Sequence, residues 1–185
     1  MAKTFTRMDE STQEEWMEIG RQTFENQGRV ADAVLSLLRS LSTIVDGFAT
    51  DQLTHCLQTA TRAEQAGADT EVVVASLCHD IGKAISVLNH PAIAAEILKP
   101  YVRAEVYEMI LAHQDFQGRH YYAHFGKDTN AREAHRDRLD PETFSLAERF
   151  ADEWDQTSFD PDYPTKPLEH FEPLVREIFG APKSF

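Results

Sequence analysis

The feature that most constrains this chain is Cys78-His79-Asp80-Ile81-Gly82-Lys83, which closes an apolar stretch beginning at Val72-Val73-Val74. An imidazole and a carboxylate side by side after a hydrophobic run need a reason to be buried, because an unpaired buried charge is costly. A bound cation supplies that reason. Mixed nitrogen and oxygen donors suit divalent and trivalent transition metals. Gly82 allows the backbone to pass closely beneath the pair. A lone His-Asp dipeptide arises often by chance, but here a second histidine, His55, stands upstream in a helical stretch, Thr54-His55-Cys56-Leu57.

The rest of the pattern is helical. Val30, Val34, Leu37, Leu38 and Leu41 form one stripe, and Leu53, Leu57, Ala60 and Ala63 another. Capping residues and breakers predict helices from Ser11 or Thr12 through Phe24, over 29–41, from Thr50 or Asp51 to Gly67, and from Asp69 through Cys78. Further helices are expected over 91–98, 102–113, from Pro141 or Glu142 to Asp155, and over 168–179. The β-branched run at 72–74 also suits a strand, but its cap and length favour a buried helix. Residues 116–128, rich in aromatics and histidines, and 159–167, with three prolines, read as loops. The run 132–138 reads as a solvated charged face. With no βαβ alternation, repeat or linker, the expected fold class is all-α. One domain over 1–185 is expected, with an N-terminal helical arm (1–48) and a metal-binding core (50–179).

Thirty-one acidic against 18 basic residues give a net charge of −13. Such a surface repels phosphate backbones, so no nucleic-acid partner is expected. No apolar run is long enough to span a membrane, and the first residues lack a signal peptide's apolar core. The expected location is the cytoplasm. Cys56 and Cys78 form no CxxC pair and read as reduced core residues. His120, His124, His135 and His170 read as surface, loop or hydrogen-bonding residues.

Two further histidines, His90 and His113, lie at the edges of expected helices. A one-metal hydrolytic site needs neither. A two-metal site needs such extra nitrogen donors, with a carboxylate such as Asp80 bridging. Late in the chain, Asp152 and Asp155, three apart, share a helical face.

The H…HD…D pattern of His55, His79-Asp80 and a late Asp resembles the HD-domain superfamily, which implies a helical bundle with metal held between helices. With His90 and His113 added, it resembles the HD-domain mixed-valent diiron oxygenases, and within them the phosphonate-cleaving branch. That resemblance runs over about 50–179 and includes Trp154-Asp155 and the ending at 167–175, which places the last ligand at Asp155. It implies two iron ions, Fe(II)/Fe(III), with Asp80 bridging. It further implies that O2 cleaves the C–P bond of a 1-hydroxy-2-ammonioethylphosphonate to phosphate and a carboxylate. Val45 and Phe48 stand where primary-amine-cleaving members carry a tyrosine and a glutamate. An aromatic face suits a quaternary ammonium, so the trimethylammonio substrate and glycine betaine as product are expected. Phe116, Tyr122, Phe125 and Tyr163 are further aromatic candidates. Lys83 departs from the aminophosphonate members; it is the candidate catalytic and substrate-binding residue, holding phosphonate charge. Tyr121 joins Phe48 around the substrate, while Gln117 and Arg119 face either the phosphonate or solvent. Two alternatives stand beside this reading: an HD-type metal-dependent phosphohydrolase acting on a nucleotide or small phosphate ester, and a non-catalytic ligand-sensing HD module. The oligomeric state is open.

Overall fold

Capping chemistry and apolar spacing account for most of the helix starts. The computed structural model describes residues 5–183, and among them there is no β-strand. Helix α1 (Gln13–Asn26) starts at Thr12, which exchanges hydrogen bonds with Glu15 in a capping box. No residue of α1 is buried. Helix α2 (Val30–Ser40), by contrast, buries Ala31, Val34, Leu35 and Leu38 and packs against α8 (Leu168–Gly180).

Asp51 caps α3 (Gln52–Gln65) by accepting from the Thr54 amide. Gly67, with φ +76, lets the chain leave α3 through the left-handed region. Asp69 caps α4 (Thr70–Cys78) in the same way as Asp51 caps α3. Val72 through Cys78 are all buried, so tertiary packing holds the β-branched run in a helix despite its propensity. Helix α5 (His90–Leu98) carries Pro91 in its first turn, where a missing N–H costs nothing. Helix α6 (Ala104–Gln117) is about one turn longer than its periodicity predicts at the C-terminal end, so His113 sits inside the helix rather than at its edge. Asp140 caps α7 (Pro141–Arg149), which runs on into a wider π-helical turn, Phe150–Asp155.

The core is built from side chains such as Leu38, Leu77, Ile81, Leu98, Met109, Phe150 and Phe171. Cys56 and Cys78 are buried in it as free thiols, and burial pushes both above the ordinary thiol range. Helix α3 packs on α4 and on the π turn; α6 packs on α5, α7 and the π turn. Residues from the ends or middles of these elements therefore meet in one interior space. No helix among the described residues is long and apolar enough to cross a membrane.

Two expectations are corrected. Phe116 is not a pocket aromatic: it is fully buried, packed between Phe144 and His135 at ring separations of 4.9 and 5.7 Å. The run 132–138 is not uniformly solvated. Arg132 is only 2% exposed, its guanidinium donating to Asp152 at 3.1 and 3.2 Å, with Glu148 at 3.6 Å. Two carboxylates on the facing helical segment make burial of that charge tolerable, whereas Arg136 and Arg138 stay exposed on Glu133 and Glu108.

Candidate metal centre

His55 (α3), His79 (the C-cap of α4), Asp80, His90 (the first residue of α5), His113 (α6) and Asp155 (the end of the π turn) converge, each at most 5% exposed. Gly82 makes this approach possible. A Cβ there would lie 2.3 Å from the His90 carbonyl oxygen and 2.7 Å from its Cα.

The four imidazoles are oriented by one device. Nδ1 of His55 faces the Ser158 carbonyl at 2.9 Å, and Nδ1 of His79 faces that of Ser76 at 2.8 Å. Nδ1 of His90 faces the Val87 carbonyl and Nδ1 of His113 that of Ile110, both at 2.7 Å. A carbonyl only accepts, so each Nδ1 carries the proton and donates. Each neutral ring then presents an Nε2 lone pair inward, the arrangement that outer hydrogen bonds impose on metal-ligating histidines.

Asp80 divides the donors into two groups. Its Oδ2 lies 3.4 Å from Nε2 of both His55 and His79. Asp155 Oδ1 joins that group at 3.2 Å from His55 Nε2 and 3.5 Å from His79 Nε2. Asp80 Oδ1 points the other way, 3.1 Å from His90 Nε2 and 3.6 Å from His113 Nε2. His55, His79 and Asp80, and separately Asp80, His90 and His113, each place their ligand atoms close enough to hold one ion.

These residues fit metal ions. The Nε2 atoms of His55 and His79 are 3.0 Å apart, and two facing lone pairs need a cation or a proton between them. Among the described residues, Asp80 Oδ1 and Asp155 Oδ2 are fully buried and have no hydrogen-bond partner, a costly state that a bound cation relieves. Burial alone would discharge the rings and the carboxyls. For His79, however, Asp80 and Asp155 outweigh burial and hold it well above the ordinary imidazole range. For Asp80, His79 and the neighbouring rings outweigh burial and hold it well below the carboxylate range; Asp155 is lowered likewise. Burial dominates at His113, which is lowered.

The two late aspartates separate. Asp152 does not share a face with Asp155: it binds Arg132 and His120, the latter at 2.8 Å. The cause is the π turn, where the Gln156 amide bonds the Ala151 carbonyl five residues back, so residues three apart diverge more than in an α-helix. π turns often occur at functional sites.

The substrate candidates scatter more. The Lys83 ammonium donates to Asp80 Oδ2 at 2.6 Å and to Gln52 Oε1 at 2.9 Å. Gln117 donates to Asp155 Oδ1 at 3.1 Å. Phe48 is 45% exposed and stacks on Phe159 at 4.6 Å, which in turn stacks on the His55 ring at 4.2 Å. Tyr121 is half-buried against Tyr122 and Phe125, and burial raises its phenol. Arg119 is exposed. Tyr122 is buried with its hydroxyl on Asp115, Tyr163 lies under Arg62, and Phe125 is largely exposed. His120, His135 and His170 pair with Asp152, Asp115 and Glu64.

Sequence reasoning missed Phe159, Gln52 and the carbonyl of Ser158. Gln52 carried a signal, lying one turn ahead of His55. Phe159 and Ser158 carried none, since any backbone has carbonyls and only the fold brings 159 onto 55.

Imidazoles and carboxylates buried between helices in this way define a helical metal-binding domain. The HD domain profile matches residues 53–160, more than half of the chain, and the chain belongs to the HD-domain family. Proteins of this family are typically metal-dependent enzymes. No match to the chain is found among curated proteins.

Proposed function

We propose that the chain is a non-haem diiron oxygenase that uses O2 to cleave the C–P bond of a 1-hydroxy-2-ammonioethylphosphonate, the trimethylammonio form by preference, yielding phosphate and glycine betaine. The observation that carries this reading is Asp80, with one oxygen in each of two donor groups. The first group is His55, His79, Asp80 and Asp155; the second is Asp80, His90 and His113. Two six-coordinate ions held by these residues would keep positions open for substrate and oxygen. The metal-binding core is assigned to 50–179 within a single domain, and the cytoplasm as its location. The small-molecule phosphonate and O2 are its proposed partners.

When bound, an Fe(II)/Fe(III) pair supplies the redox equivalents for oxygen and Lewis acidity toward the substrate hydroxyl and a phosphonate oxygen. The protein supplies orientation. Four backbone carbonyls hold the rings in one tautomer. Gln117 turns Asp155 by donating to its Oδ1. Lys83, at the Asp80 edge, offers positive charge to the phosphonate. Phe48 offers an aromatic face to the ammonium end, and lacks the carboxylate that a primary ammonium would seek. The overall reaction balances with both atoms of O2 retained, one in the new carboxylate and one in phosphate.

The test is anaerobic loading with iron, followed by electron paramagnetic resonance and oxygen uptake. A mixed-valent S = 1/2 signal that shifts with the phosphonate, with phosphate release coupled to oxygen uptake, is expected. Protein that works with manganese alone and frees phosphate from esters without oxygen would instead be a hydrolase. Phe48→Glu is expected to move preference from the trimethylammonio to the amino substrate; equal rates for the two substrates in the parent protein undo the Phe48 argument.

A further inference from the structure

Gln52 is fully buried on α3, one turn ahead of His55 and on the same helical face. Its carbonyl oxygen accepts from the Lys83 ammonium. An ammonium has no acceptor, so the orientation of the amide is fixed with oxygen toward Lys83 and nitrogen away. That nitrogen is buried and has no acceptor among the described residues. A buried donor left unsatisfied is costly, and a ligand that brings acceptor oxygens removes the cost. Lys83 uses two of its three N–H donors, on Gln52 and Asp80. A cation held at Asp80 Oδ2 competes with Lys83 for that oxygen, which leaves Gln52 as the anchor of the ammonium. The unsatisfied group on this side, Gln52 Nε2, is a donor beside a positive charge, while the orphaned acceptor Asp80 Oδ1 faces His90 and His113, so the matching ligand is rich in acceptors and anionic.

We propose that Gln52 and Lys83 form an oxyanion subsite beside Asp80, which takes a tetrahedral oxyanion of the phosphonate or phosphate class. Gln52 acts in it twice, as a donor through Nε2 and as the residue that positions Lys83 through Oε1. The choice of phosphonate as the physiological oxyanion rests on the function proposed above; the subsite rests on the orphaned amide.

The experiment is equilibrium binding to the iron-loaded full chain kept free of oxygen. Methylphosphonate, which lacks the hydroxyl carbon to be oxidised, and orthophosphate are titrated separately into the parent protein, Gln52→Leu, Gln52→Glu and Lys83→Met. Gln52→Leu is expected to lose about tenfold or more in affinity, the scale of one charge-assisted hydrogen bond, while keeping its iron. Gln52→Glu retains an acceptor for Lys83 but repels the anion, and is expected to lose more. Tighter binding of methylphosphonate than orthophosphate favours phosphonate as the occupant, and the reverse favours phosphate. Should the variants fail to fold, the Gln52 side-chain amide resonance of the parent loaded with diamagnetic zinc provides the readout: it is expected to move on adding methylphosphonate. Unchanged affinity in iron-replete Gln52→Leu, or an unmoved amide resonance, overturns the subsite. Neither readout needs turnover. Affinity lost as expected without oxygen uptake on any phosphonate leaves the subsite standing and removes the oxygenase, whereas oxygen uptake with unchanged Gln52→Leu binding does the opposite.

Discussion

Removing metal from this centre leaves a proton in its place, and that proton can be counted. Every Nδ1 is committed to a backbone carbonyl, so any proton gained by a ring must sit on Nε2, among the donors themselves. His79 is held well above its ordinary value of 6.5, and His55 is also raised. Their Nε2 atoms are 3.0 Å apart. One proton bridges that gap with a lone pair opposite; two would set N–H against N–H. The metal-free site is therefore expected to hold one proton on this pair near neutral pH, which a metal ion must expel. Expelling one proton raises apparent affinity about tenfold per pH unit, or about 1.4 kcal/mol, below the raised pKa of the pair. The assay is anaerobic titration calorimetry with Fe(II) in two buffers of different ionisation enthalpy at pH 6.5 and 7.5. Release of one proton per first ion and a tenfold affinity difference are expected. Zero protons, or two, would refute the shared-proton geometry. Stability of the metal-free protein runs in the opposite direction. The contribution of a raised histidine is complete below 6.5 and is lost as pH climbs through its folded value. Those of Asp80 and Asp155, both depressed, are present above 3.8 and lost only as pH falls below it. The metal-free Tm should thus decline above pH 6.5 while the metal-loaded Tm holds.

Asp155→Asn is expected to lose one iron per chain by metal analysis, whereas Asp152→Asn keeps both and loses only Arg132 and His120 contacts; equal iron loss in the two would contradict the separation made by the π turn. Gly82→Ala forces a methyl group onto the His90 backbone and is expected to cost about 1–3 kcal/mol in urea unfolding and to weaken the second ion more than the first. Arg132→Met removes two hydrogen bonds to Asp152, which is about a third exposed and can rehydrate. A loss of about 1.5–3 kcal/mol follows, a drop of about 3–12 °C in Tm by calorimetry, and a change below 1 °C would show the pair to be idle.

The local signals were legible because their interactions close within one helical turn. Asp51, Asp69 and Asp140 cap helices from three residues away or fewer, and Pro91 and Gly67 act through their own backbone. The helical class, the HD pair and the histidines destined for the interior could be read on that basis. What followed from long-range packing could not. Asp152 and Asp155 look alike in the chain, and only a π turn, wedged between α3, α6 and α7, sends one to the histidines and the other to Arg132. Arg132 sits in a charged run that reads as surface, and it is buried because two carboxylates from distant sequence meet it. Phe159 reaches His55 only because the chain after the π turn folds back across α3. Composition and spacing select which side chains can bind a metal; the burial that strips them of water, and the partners that then fix their protons, come from segments far apart in sequence and are decided by the tertiary structure.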